Sequence, residues 1–276
     1  MKYLFTHEDR AERDRLAAIE AGLDPFTIEC LEKIAVGEGW RCLEIGAGGG
    51  SITAWLCSRV GPNGKVVAAD LQTKFLEAID APNLEVRRHD ITSQELEPEA
   101  FDLVSARKVL EHLPDPSTAL RRMVAAVRPG GWLLVEDTDL ASFIRISFPH
   151  RERFERAYGR FIEALCSAGF QPKLGLRLGD ELRAVGLSDV SLKGFILEAT
   201  GGSDHAGNKV YRMTVQRMRE RIVQAGLLSD AEVDQFLTDL QSPELHAITA
   251  IHCAAWGRKP AEPTAAHDPG AGQDKE

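Results

Sequence analysis

A run of glycines flanked by well-placed acids dominates the first half of this chain. Leu43-Glu44-Ile45-Gly46-Ala47-Gly48-Gly49-Gly50-Ser51 reads as the end of a strand, a glycine turn and the start of a helix. Gly46 and Gly48 permit a tight turn and let a ligand lie against bare backbone. The helix starting near Ser51 offers unpaired N–H groups and the positive end of its dipole. Asp70 ends the next strand, where a carboxylate accepts ribose hydroxyls. His89-Asp90-Ile91 closes the third strand: a polar side chain there meets an adenine amino group while Ile91 packs the ring. Glu44 sits inside an apolar strand and is costly to bury unless a ligand amino group or backbone N–H groups pair it. Each feature also has an ordinary structural use. Asp70 and Asp90 serve as caps, Glu44 as a hydrogen-bond partner, and the glycines as a plain connection.

The spacing separates two ligand classes. A dinucleotide pattern G-x-G-x-x-G read from Gly46 needs glycine or alanine at position 51, and Ser51 stands there. Glu44, two residues upstream, would repel a pyrophosphate. The turn therefore favours a ligand with a cationic end, a ribose and an adenine.

These residues need a scaffold. Residues 40–45, 65–70, 84–89, 101–106 and 132–136 read as strands, with helices over 51–59, 73–79 and 116–127 between them. Such alternation, with short Gly/Pro connections, predicts an α/β, doubly wound, mostly parallel sheet. Residues 7–36 read as two helices broken at Asp24-Pro25, with Pro25 in the first turn of the second. Further on, helices are expected near 151–168, 179–184, 208–225 and 230–240, and strands at 190–199 and 248–256. The total is seven strands, with a helical insertion before the last. Gly201-Gly202-Ser203-Asp204 reads as a joint, and 260–276 as a disordered tail.

Composition narrows the function. Lys and Arg number 33 against 42 Asp and Glu, a formal net charge of −9. This disfavours a nucleic-acid binder, which wants a positive surface. No apolar run approaches the ~20 residues of a membrane span, and the first ten residues lack a secretory apolar region, so a soluble, cytoplasmic chain is expected. The cysteine count, five, is odd, with no C-x-x-C pair, and the eight histidines lack metal-site spacing, so neither a disulfide scaffold nor a metal is expected.

Taken together, the residues resemble the class I S-adenosylmethionine-dependent methyltransferases. Glu44-x-Gly46-x-Gly48-x-Gly50 looks like their first motif, and Asp70 falls on their ribose-binding acid. Asp90 and Ile91 fall on their adenine-binding positions. Phe101-Asp102-Leu103-Val104, followed by Arg107-Lys108-Val109-Leu110-Glu111-His112-Leu113-Pro114-Asp115, looks like their fourth-strand motif. Arg128-Pro129-Gly130-Gly131-Trp132-Leu133 looks like the turn into their fifth strand. Tyr3-Leu4, Glu12 to Arg15-Leu16, and Gly49-Gly50-Ser51-Ile52 are more like bacterial small-molecule methyltransferases of secondary metabolism, whereas 141–246 matches no motif.

The resemblance implies a Rossmann-like methyltransferase fold over 37–259, an N-terminal helical cap over 1–36 and a helical lid around 200–246. It implies S-adenosylmethionine as cofactor and S-adenosylhomocysteine as product. The implied cofactor set is Glu44, Gly46, Ala47, Gly48, Asp70, Leu71, Asp90, Ile91 and Arg107, the last near the methionine end, with no metal. Methyl transfer would be an in-line displacement onto an oxygen or nitrogen of a small molecule. A phenol-like acceptor, with a pKa of about 10, would benefit from a base. His112 is the first candidate, with Asp137 and Asp139 on the same sheet edge. Neither nucleic acid nor membrane is an expected partner, and a homodimer is left open. Arg212, Arg217, Arg219 and Arg221 on one helix read as a solvated face rather than an anion site. Phe143, Phe148, Phe154, Tyr158 and Phe195 are read either as an acceptor site or as core. The competing readings are a cofactor-binding protein without catalysis and a methyltransferase acting on a macromolecule.

Overall fold

A computed structural model describes residues 10–141, 145–202 and 206–261. Tyr3-Leu4, Phe143, Ser203-Asp204 and the expected tail beyond residue 261 lie outside the described residues.

The parallel half of the sheet is built from β1 (Arg41–Ile45), β2 (Lys65–Asp70), β3 (Leu84–Arg88), β4 (Phe101–Arg107) and β5 (Val127–Asp139). They run in the order β3-β2-β1-β4-β5. Three later strands complete the sheet: β6 (Arg145–Ser147), β7 (Ser188–Thr200) and β8 (His246–Arg258). β8 runs antiparallel to β5, and both β7 and the short β6 pair antiparallel with β8. The seven expected strands are present, and β6 is an eighth, three-residue addition.

Alternation along the strands covers both faces. Cys42, Leu103 and Leu134 face one core with α1 (Arg10–Ile34) and α2 (Ser51–Val60), where Phe26, Leu31 and Leu56 pack. Their neighbours Leu43, Val104 and Leu133 face the other, with Leu120 and Met123 of α3 (Pro116–Ala126) and Leu182 of α5 (Leu178–Ala184). This is the period-two, two-sided burial of a doubly wound sheet. A third core joins α4 (Arg151–Ser167), α6 (Ala206–Gln224) and α7 (Asp230–Gln241) through Phe154, Phe161, Met218 and Phe236, and reaches Ala247 and Ala250 of β8. The β7–β8 connection carries α6 and α7, and α6 packs against α1.

Two expectations are corrected. α1 is one helix that runs through Pro25. Pro25 and Ala21, whose carbonyl loses its N–H partner there, are both exposed, so water can take the lost bond. Meanwhile Phe26, Cys30, Leu31 and Ile34 keep the second half docked on the sheet. The helix expected over 73–79 is a single 3-10 turn, Leu76–Ala78, in which only Leu76 is buried. One buried side chain does not offset the cost of nucleating a helix.

Among the described residues, no helix is long and apolar enough to cross a membrane.

Candidate active site

The carboxyl ends of β1, β2 and β4 lie side by side, Ile45 pairing with Ala69 and with Ala106. The turn after β1 therefore opens beside Asp70 and Arg107. Gly46 takes φ +70°, and a Cβ there would lie 2.3 Å from Val109 Cγ2. Gly48, at φ +58°, turns its N–H onto Asp70 Oδ2 at 2.9 Å. The Gln72 N–H donates to Asp70 Oδ1 at 3.0 Å. Each carboxylate oxygen keeps a further lone pair for a ligand hydroxyl.

A cavity lies over this turn. Its walls include Glu44, Gly46, Ala47, Gly48, Asp70 and Leu71 on one side and Asp90, Ile91 and Arg107 on the other. All nine expected cofactor residues thus meet in one place. Asp90 Oδ1 accepts from the Thr92 hydroxyl at 2.6 Å and the Thr92 N–H at 2.9 Å, which holds its carboxyl below the usual range. Ile91 is buried, whereas Leu71 is 38% exposed and presents an apolar surface to the cavity.

Glu44 finds a partner that the sequence did not single out: Thr53 of α2 donates its hydroxyl to Oε2 at 2.5 Å. Burial nevertheless pushes the Glu44 carboxyl up to about 7, against the lowering effect of Thr53 and Arg107. Arg107 is braced from the roof of the cavity. It donates to Asp24 Oδ1 at 2.8 Å and to the Thr27 hydroxyl at 3.0 Å, both on α1. The Ser51 hydroxyl donates to the same Asp24 oxygen at 3.0 Å. The serine that departs from the dinucleotide pattern therefore ties α2 to α1.

His112 follows β4 in a 3-10 turn, Leu110–His112. It lies at the seam between the first cavity and a second one, and Arg15, Ile19, Lys108 and Phe170 share that position. Its ring meets Phe170 edge-on, centroids 5.2 Å apart, and Nε2 is 3.6 Å from Glu111 Oε1. Burial pushes its pKa down to about 4, opposed by Glu111 and helped by Lys108 and Arg15. Glu111 is itself buried. Lys108 Nζ lies 2.6 Å from its Oε1, and the Thr138 N–H donates to Oε2 at 2.8 Å. Lys108 and His112 hold Glu111 below the usual carboxylate range despite burial.

Asp137 and Asp139 do not join this set: neither lines either cavity. The expected strand end at 136 is in fact mid-strand. β5 continues to Asp139, and Asp137 and Asp139 pair with Cys253 and Ile251 of β8 inside the sheet. Asp137 accepts the Glu111 N–H at 3.3 Å, and burial beside Glu111 raises its pKa well above the usual value. Asp139 accepts the Ala141 N–H at 3.1 Å.

The second cavity is walled by helices far apart in sequence, so no local motif marks its residues as one set. Phe161 and Leu165 come from α4, Ile19 and Leu23 from α1, and Val210 and Tyr211 from α6. Of the aromatics read from sequence, Phe154 and Tyr158 belong to the helical core, and Phe195 is 41% exposed against Phe26. Two of the α6 arginines meet acids: Arg219 pairs with Asp230 and Asp234, and Arg217 Nε lies 3.6 Å from Glu12.

With this geometry in place, one comparison is decisive: the profile of a methyltransferase domain family matches residues 10–192. The chain belongs to that family. It is a member of the class I S-adenosylmethionine-dependent methyltransferases. The chain is 36% identical over 138 residues to methyltransferase str2 of Strobilurus tenacellus, covering 48% of each protein. It is 31% identical over 119 residues to a ubiquinone biosynthesis O-methyltransferase of Albidiferax ferrireducens, covering 40% of this chain and 46% of the relative. The chain thus spans about half the length of these curated relatives. In fold it is similar to Haemonchus contortus phosphoethanolamine N-methyltransferase 2, solved with phosphomonomethylethanolamine and S-adenosylhomocysteine. That match has a TM-score of 0.51 and 18% identity, and it covers 81% of this chain and 49% of that one.

Proposed function

We propose that this protein transfers a methyl group from S-adenosylmethionine to an oxygen or nitrogen of a small molecule. The observation that carries this reading is the pair of cavities meeting at His112, one over the glycine turn and one beside it. The residues present suit the cofactor. Asp70 keeps acceptor capacity for ribose hydroxyls, Ile91 and Leu71 give the base apolar surfaces, and Glu44 supplies a carboxylate near the amino-acid end. When bound, S-adenosylmethionine supplies a methyl group already activated on a sulfonium.

The chain's own work is positioning, exclusion of water and proton removal. α1 acts as a cap over the cofactor cavity, and α6, backed by α7, as a lid over the neighbouring one. Arg107 fixes the cap through Asp24 and lines the cavity at the same time. His112, which lines both cavities and is kept neutral by burial, would accept the proton of an acceptor hydroxyl. The relative named for ubiquinone biosynthesis O-methylation supports an oxygen acceptor.

Calorimetric titration with S-adenosylhomocysteine, followed by mass spectrometry of a metabolite extract incubated with protein and S-adenosylmethionine, tests the proposal. One site per chain and a one-methylene mass gain in a small molecule are expected. Binding with no mass gain in any small molecule would leave a cofactor-binding protein and overturn the assignment of catalysis.

A further inference from the structure

The cavity beside the cofactor site also bears on the kind of acceptor. We infer that it takes the body of an uncharged, apolar molecule, such as an aromatic ring carrying one hydroxyl, and rejects carboxylated, phosphorylated or cationic acceptors. This rests on the methyltransferase reading above and goes beyond it.

The surface is mostly hydrocarbon. Phe161, Leu165, Phe170, Leu23 and Val210 approach it from four separate segments. The polar groups on its walls are largely engaged within the protein. Thr214 donates its hydroxyl to the Val210 carbonyl at 2.7 Å. The two cations are held by their own acids. Arg15 donates twice to Glu12, at 2.7 and 2.9 Å, and Lys108 Nζ lies 2.6 Å from both Glu111 Oε1 and Thr138 Oγ1. Glu12 and Glu111 are both fully buried.

The local charges therefore close on themselves. An incoming carboxylate or phosphate would have to share Arg15 with Glu12 or Lys108 with Glu111, competing with a fully buried glutamate for its nearest cation. An incoming ammonium would be repelled by Arg15 and Lys108 on the same walls, and Glu111, the acid among the lining residues, is already paired with Lys108. A neutral ring meets mostly apolar walls whose polar groups are already engaged, and a hydroxyl on its edge would lie at the seam where His112 stands. Desolvating a charge without a new partner is the larger cost, so selectivity for the neutral acceptor follows.

Three probes of one shape test this: 2-naphthol, 2-naphthoate and 2-naphthylmethylammonium, titrated into protein saturated with S-adenosylhomocysteine so that the cofactor cavity is filled. We expect 2-naphthol to bind roughly tenfold or more tightly than either charged analogue. Filling the second cavity alone, by Ala18→Phe on α1 or Leu165→Trp on α4, should abolish naphthol binding while S-adenosylhomocysteine still binds. Equal or tighter binding of a charged probe would overturn the inference. So would undiminished naphthol binding in a variant that retains S-adenosylhomocysteine. Failure of the wild-type protein to bind S-adenosylhomocysteine would instead overturn the cofactor reading. Two variants on different helices guard against one that fails to fold.

Discussion

The Gly48 N–H donates to Asp70 Oδ2 across 2.9 Å, so the glycine turn and the acid that ends the next strand are one unit. The turn sets where the carboxylate stands, and the carboxylate fixes the turn. Asp70→Ala should weaken S-adenosylhomocysteine binding by about 1–3 kcal/mol, through the lost ribose contact and a loosened turn. Calorimetry on the folded variant measures this, and unchanged affinity would remove Asp70 from the site.

Glu44 gives a pH dependence. Its carboxyl, raised from 4.5 to about 7, is mostly protonated below that value and ionised above it. Only the ionised form pairs with a ligand ammonium. S-adenosylhomocysteine binding should therefore release a proton near neutrality and tighten several-fold from about pH 6 to about pH 7.5. Without ligand the same shift has the opposite consequence: the fold is more stable below 4.5 with respect to this group and loses that contribution as pH rises towards 7. Titration in buffers of differing ionisation enthalpy reads the proton directly. Binding with no proton exchange would contradict the pairing.

His112 predicts a flat profile where a histidine ordinarily bends one. Its lowered pKa, about 4, keeps the proton-accepting form populated throughout the neutral range. At saturating cofactor, kcat should show no histidine inflection between about pH 6 and pH 8. His112→Ala should lower kcat for a hydroxyl acceptor by roughly 10²–10⁴-fold, while leaving cofactor affinity near wild type. A variant with full kcat would reduce His112 to a wall residue.

Asp24 is where α1 is fastened to the sheet, since Arg107 and Ser51 both reach its Oδ1. Asp24→Ala leaves the half-buried Arg107 with Thr27 alone among these partners and should cost about 1–3 kcal/mol of stability. It should also weaken cofactor binding, because Arg15, Leu16 and Ile19 of the same helix line the cavity. Urea unfolding and calorimetry together test this. An unchanged unfolding midpoint would show that α1 is held by its apolar face alone.

Much of this was legible in the sequence. Residues 40–136 announce their strands because short apolar runs mostly end in Gly, Asp or Pro, and the same ends carry most of the proposed ligand residues. Glu44, Asp70 and Asp90 were readable because a carboxylate closing or interrupting an apolar strand needs a reason. Pro25 misled because its effect depends on which side of the helix faces water, a tertiary property. Asp137 and Asp139 were assigned to an edge because the strand seemed to end at Glu136, whereas pairing with β8 carries it three residues further. Arg15, Lys108 and Phe170 were missed as members of one seam because nothing local links a helix, a strand end and a loop.

The central claim is that the turn after β1 cradles an adenosyl amino acid. A crystal structure of the protein grown with S-adenosylhomocysteine and NAD together tests it most directly. The account predicts S-adenosylhomocysteine with its ribose on Asp70, its adenine beside Ile91 and its amino group toward Glu44. A pyrophosphate lying on Gly46–Gly48 in its place would contradict the account.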